Sequence, residues 1–113
     1  MTPPQHRPAI RAVSFEDVGS AIGRLFEIAK FRTHQGKRVA DFLLAWWDGD
    51  QWGHFPILHL SNCDAIIAED MLIIMANLSK GEVTYAYDWG YREEMEALID
   101  QWRTDALTED NDD

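Results

Sequence analysis

A chain of 113 residues, 46% hydrophobic and 12% aromatic, has the size and composition of one globular domain and excludes a disordered polymer. Cys63 is its one cysteine, which excludes an intramolecular disulfide and fits a reducing compartment. The net charge of −10 argues against nucleic acid as a partner, because affinity for nucleic acid comes from neutralising phosphates.

Residues 1–13 (MTPPQHRPAIRAV) hold three of the four prolines and no periodicity, and are expected to form a flexible arm. They lack the apolar stretch of a secretory signal. Apolar runs elsewhere fall far short of the about 20 residues that span a bilayer, so no membrane is expected and the location is read as cytoplasmic.

The spacing predicts a mainly α fold: a compact arrangement of four helices within a single domain, 14–104. The first covers about 14–31. Ser14 caps it, Asp17 completes a capping box, and Phe15, Val18, Ile22, Leu25, Phe26 and Ala29 share one face. After a turn at Gly36 the second runs over 37–47, with Val39, Phe42, Leu43 and Trp46 inward, and Asp48-Gly49-Asp50 ends it. The third spans 62–79, with a stripe of Cys63, Ile66, Ile67, Met71, Ile74, Met75 and Leu78 and with Glu69 and Asp70 on the opposite side. The fourth covers 91–104, with Tyr91, Met95, Leu98, Ile99 and Trp102 inward. Residues 55–60 and 82–87 are candidates for a short two-stranded ribbon. Residues 105–113 read as a disordered acidic tail.

Charge is unevenly placed. Residues 1–40 carry seven bases against three acids, net +4, whereas residues 41–113 carry three bases against seventeen acids, net −14. Such a field steers association more than it sets a fold. At the border lies Asp41–Gly53, DFLLAWWDGDQWG, which holds three of the five tryptophans.

The runs RVADFLLAWWDGDQWGHF, AIIAEDMLIIMANL and YREEMEALIDQWR, within 38–103, resemble an uncharacterised small domain family of proteobacterial plasmids and integrative elements. Its signatures are an FLLAWW stretch, an AIADDML-like helix and a closing QWR. Asp48 stands where the family pattern has asparagine, and 55–60 departs from it. The resemblance implies a mobile-element context and carries no activity.

No chemistry-bearing motif is complete. His54, His59 and Cys63 match no common zinc spacing. Asp48-Gly49-Asp50 opens like a calcium loop, but the fifth and twelfth positions fall on Trp52 and His59. The neighbouring acids Glu69/Asp70 and Glu93/Glu94 point about 100° apart on a helix, unsuited to a paired acid and base. There is no nucleophile elbow and no phosphate loop. The expectation is therefore no enzyme, no metal and no cofactor.

What remains is a protein-binding surface: Trp47, Asp48, Asp50 and Trp52, with Glu69, Asp70, Glu93 and Glu94. The reading is a non-enzymatic acidic interaction protein of a mobile genetic element. Its partner is a protein with a basic surface, and by charge mimicry it occludes the nucleic-acid-binding face of a host defence complex. The alternative is a self-associating accessory protein of plasmid maintenance or conjugation, a homodimer, because Leu44, Trp47, Trp89 and Trp102 exceed what one small core holds.

Overall fold

The computed structural model describes residues 13–81 and 89–104. Within them lie α1 (Phe15–Ala29), α2 (His34–Trp52), α3 (Ala65–Lys80) and α4 (Arg92–Ile99). A 3₁₀ segment covers Ile57–Asn62, and a π-helical turn, Asp100–Thr104, extends α4. The four expected helices all form. The expected arm, 1–13, lies outside the described residues except for Val13, which packs against the core and accepts a hydrogen bond from Lys80 Nζ. The expected tail, 105–113, also lies outside them.

The helix α1 is the hub, packed against both α2 and α3, while α4 packs against α2. Its capping box forms as the sequence predicts: Ser14 Oγ accepts from Asp17 N at 3.1 Å, and Asp17 Oδ2 accepts from Ser14 N at 3.0 Å. Val18, Ile22, Leu25 and Phe26 then bury against Val39, Leu43, Met71, Ile74, Met95 and Leu98.

Helix α2 begins three residues earlier than predicted and ends five later. Thr33 Oγ1 accepts from Gly36 N at 2.9 Å, so Gly36 lies in the first turn of α2 and does not break it. Its role is close approach: a Cβ there would stand 1.9 Å from the carbonyl oxygen of Phe31. At the other end Asp48 leaves helical geometry (φ −159°, ψ 83°), and the chain then makes one more helical turn to Trp52. Asp48 Oδ1 accepts from Gln51 N at 3.3 Å, a cap for that turn. Asp48-Gly49-Asp50 is thus a kink and not a stop.

The predicted ribbon is not supported. Residues 57–62 are 3₁₀, opened by Pro56, whose carbonyl accepts from His59 N at 2.8 Å. Pro56 fixes its own φ and has no N–H to give to a ladder. The partner run 82–87 lies outside the described residues, and no strand forms among those described.

Helix α3 starts at Ala65, not 62, because 57–62 is taken by the 3₁₀ segment. Gln35 ties it to α2: its Nε2 donates to the Asn62 carbonyl at 3.0 Å and its Oε1 accepts from Asp64 N at 3.1 Å. Gly81, at φ 75°, ends α3 in the left-handed conformation that glycine adopts without strain. Ile66, expected inside, is exposed, and Asp70, expected outside, is buried. Ile67, Met71 and Ile74 define the inner face, and Asp70 falls on it at i+3 from Ile67.

Leu44 is fully buried, and Trp47, Trp89 and Trp102 are half-buried against the core. These four side chains all lie in or against the one core, whereas Phe15, Phe31, Ile57, Leu58 and Ile66 stay exposed.

Candidate functional site

The Asp41–Gly53 stretch and the closing Gln101-Trp102-Arg103 meet. Arg103 Nη2 donates to Asp41 Oδ1 at 2.9 Å and its Nε to the Trp52 carbonyl at 3.0 Å. Lys37 Nζ donates to the other Asp41 oxygen at 2.9 Å. Asp41 is buried, so these bonds supply the pairing a buried carboxylate requires. Trp102 Nε1 donates to the Ala29 carbonyl at 2.9 Å, and Gln101 Nε2 to that of Lys30 at 3.0 Å. The Arg32 guanidinium lies 5.7 Å from the Trp102 ring centroid. Each member of Gln-Trp-Arg therefore clasps the end of α4 onto α1 or α2.

Gly53 completes the kink. A Cβ on it would come within 2.7 Å of Gly49 Cα and 2.8 Å of Ala45 Cα, so the chain leaving α2 lies directly on the α2 backbone.

Of the predicted binding residues, Trp47 is half-buried and its ring faces Arg92, whose guanidinium is 5.5 Å from the ring centroid. That contact is worth about 0.5–1 kcal/mol at a surface. Asp48 and Asp50 are exposed, and Trp52 is half-buried with its carbonyl held by Arg103. Glu93 and Glu94 are exposed in the first turn of α4, next in sequence to Arg92, where negative charge suits the helix dipole. The Trp47–Arg92 contact brings the end of α2 to the start of α4.

Glu69 and Asp70 belong elsewhere. They stand on α3, which packs on α1. Glu69 is exposed. Asp70 receives two bonds from Arg24, Nη2 to Oδ1 at 2.7 Å and Nε to Oδ2 at 3.0 Å, and offers no surface charge to a partner. Those bonds push the Arg24 pKa above its ordinary value. Asp70 is a structural residue, and so is Asp41.

A second feature is not foreshadowed by the sequence: an apolar groove of about 370 Å³ between the middle of α2 and the C-terminal half of α3. Phe42, Ala45 and Trp46 form one wall and Met75 and Leu78 the other, with Phe55 and Ile57 completing the lining. Phe55 is held edge-on to Phe42, at 5.4 Å between centroids, and to His59, at 6.0 Å. Ile57, part of that lining, is 78% exposed, and its chain neighbour Leu58 is 73% exposed. The sequence places Trp46 in the core alone; the groove opens because α2 and α3 both pack on α1, a long-range arrangement unreadable from either helix.

Among the described residues no group of three or more His, Cys, Asp or Glu side chains converges as a metal site. The Cys63 thiol donates to the His59 carbonyl at 3.4 Å. No described helix is long and apolar enough to cross a membrane.

A model of a family of unknown function, DUF7673, matches residues 19–103. The chain belongs to that family. The match begins within α1 and ends at Arg103, so it takes in the kink of α2, the Arg24–Asp70 pair and the whole clasp. No curated protein and no solved structure matches the chain.

Proposed function

We propose that this member of the family is a non-enzymatic, acidic interaction protein of a proteobacterial mobile element, acting in the cytoplasm on a protein partner with a basic surface. The observation that carries the reading is the fate of the charges. Arg24, Lys37 and Arg103 are engaged by buried carboxylates within the chain, whereas Asp48, Asp50, Glu93 and Glu94 are exposed where α2 meets α4. Arg92 is exposed there too, so these residues set four carboxylates against one guanidinium where α2 meets α4. The mobile-element context comes from the FLLAWW and QWR runs, and it makes a host defence complex the fitting target. Carboxylates set at the positions of phosphates compete for cationic side chains and occlude nucleic acid.

The test is binding to purified nucleic-acid-guided or nuclease defence complexes over a salt series. Affinity should fall steeply with added salt and drop further in the quadruple variant D48N/D50N/E93Q/E94Q. Binding that is flat with salt and indifferent to the four substitutions overturns charge mimicry.

A further inference from the structure

We infer that the groove between α2 and α3 receives the apolar side chains of a basic amphipathic helix on the partner protein; this rests on the reading of the chain as a binder of basic surfaces. Three observations select that occupant. First, the lining residues are all hydrophobic and combine aromatic rings with the adaptable thioether of Met75, the composition of a helix-receiving groove and of an interface core. Second, its volume suits a few inserted side chains, and Ile57, 78% exposed, carries the apolar surface out to its rim. The groove's walls come from two helices, with Phe42, Ala45 and Trp46 in the middle of α2 and Met75 and Leu78 in the later part of α3, and Gln35 near the start of α2 is bonded to the backbone just ahead of α3. Side chains one turn apart on a docked helix match such a trough. Third, the exposed acids Asp48 and Asp50 stand two and four residues after Trp46, which lines the groove. Cations on the flanks of the incoming helix meet those acids. A second copy of this chain would bring another −10 to the same place, so charge works against self-pairing.

The experiment uses the full chain and three labelled synthetic peptides: an amphipathic leucine–lysine helix of about four turns, its leucine–glutamate counterpart, and a lysine–serine peptide of equal charge without leucines. Fluorescence anisotropy reads binding, and tryptophan emission reports on the Trp46 wall. The leucine–lysine helix should bind, the leucine–glutamate helix should not, and the lysine–serine peptide should bind at least about tenfold more weakly than the first. Ala45→Arg, which fills the groove, should weaken the leucine–lysine helix by about tenfold. Ile57→Asp, at an exposed rim position where folding is not at stake, should weaken it in the same direction, with thermal melts confirming both variants folded. Equal binding of the leucine–lysine helix to wild type and Ile57→Asp overturns the groove as the docking site. If the lysine–serine peptide binds as well as the leucine–lysine helix, the groove assignment falls and the acidic-surface reading stands. If no cationic peptide binds, both fall. A dimer in sedimentation that Ile57→Asp dissolves overturns the assignment in favour of a second copy.

Discussion

Arg103 and Asp41 are 62 positions apart in the chain, yet the guanidinium Nη2 and the carboxylate Oδ1 meet at 2.9 Å. Asp41 is 2% exposed, and its other oxygen is bonded to Lys37, whose side chain is 59% exposed. A charge removed from a buried pair leaves its partner uncompensated, which costs about 3–5 kcal/mol, whereas an exposed partner contributes about 0–1 kcal/mol. Asp41→Ala should therefore destabilise most, by about 3 kcal/mol. Arg103→Ala should cost somewhat less, because Lys37 still neutralises Asp41, and Lys37→Ala less than about 1 kcal/mol. Urea unfolding checks the order. A Lys37→Ala loss equal to that of Arg103→Ala would show that the pairing across the chain does not hold α4 in place.

Space requires glycine at Gly36 and Gly53 but not at Gly23. A Cβ on Gly36 would lie 1.9 Å from a backbone oxygen, and one on Gly53 would lie under 3 Å from three backbone atoms. Backbone cannot step aside as a side-chain tip can. Gly36→Ala should lower stability by about 3 kcal/mol or more, and Gly53→Ala should displace the last turn of α2. Gly23 lies mid-helix with nothing within 4 Å of its Cβ position. Gly23→Ala should raise stability by about 0.5–1 kcal/mol, through lower entropy of the unfolded chain and better helix propensity. Thermal melts of the three variants should give two losses and one gain.

The helices were legible because their apolar spacing is local. Ser14 and Asp17 read as a capping box, and the box is present. The errors come partly from local caps that were overlooked and partly from tertiary partners. Gly36 and Asp48 read as breakers by composition, but Thr33 and the Asp48 side chain supply caps that carry α2 past both. Asp70 was read as outward because it is charged, although its spacing from Ile67, Met71 and Ile74 already placed it on the inner face; its partner Arg24, 46 positions away, carried no local signal. The candidate site was legible in part. Asp48, Asp50, Glu93 and Glu94 are exposed as expected, but the groove beside Trp46 depends on which helices pair, which periodicity does not encode.

The capping box makes an acid-sensitive contribution with a definite sign. The Ser14 backbone N–H, and then its hydroxyl, hold the Asp17 pKa below its ordinary value of 3.8. A depressed folded-state pKa means stability that is present above the unfolded value and lost as pH falls through the folded one. Asp17→Asn should therefore be less stable than wild type at neutral pH and should converge on it at pH values below the ordinary carboxylate range. Denaturation midpoints across an acid series measure the gap. A gap that stays constant down to the lowest pH would mean that the carboxylate charge is not what Ser14 holds.

Cys63 titrates in the opposite sense. Burial pushes its thiol above the ordinary value of 9.0, Arg38 pulls it back, and Asp64 adds to the rise. The thiolate is the nucleophile, so alkylation by iodoacetamide at mildly alkaline pH should be slower in the folded chain than in urea, and its midpoint should lie at higher pH. A raised folded-state thiol pKa means stability that is full below the unfolded thiol pKa and lost as pH climbs through the folded one. Cys63→Ser removes this part of the alkaline destabilisation and should flatten the stability profile above the thiol range. Arg38→Gln removes the opposing charge and should move the alkylation midpoint higher still. If Arg38→Gln lowers that midpoint, the guanidinium is not acting on the thiol through its charge, and burial alone sets the reactivity of Cys63.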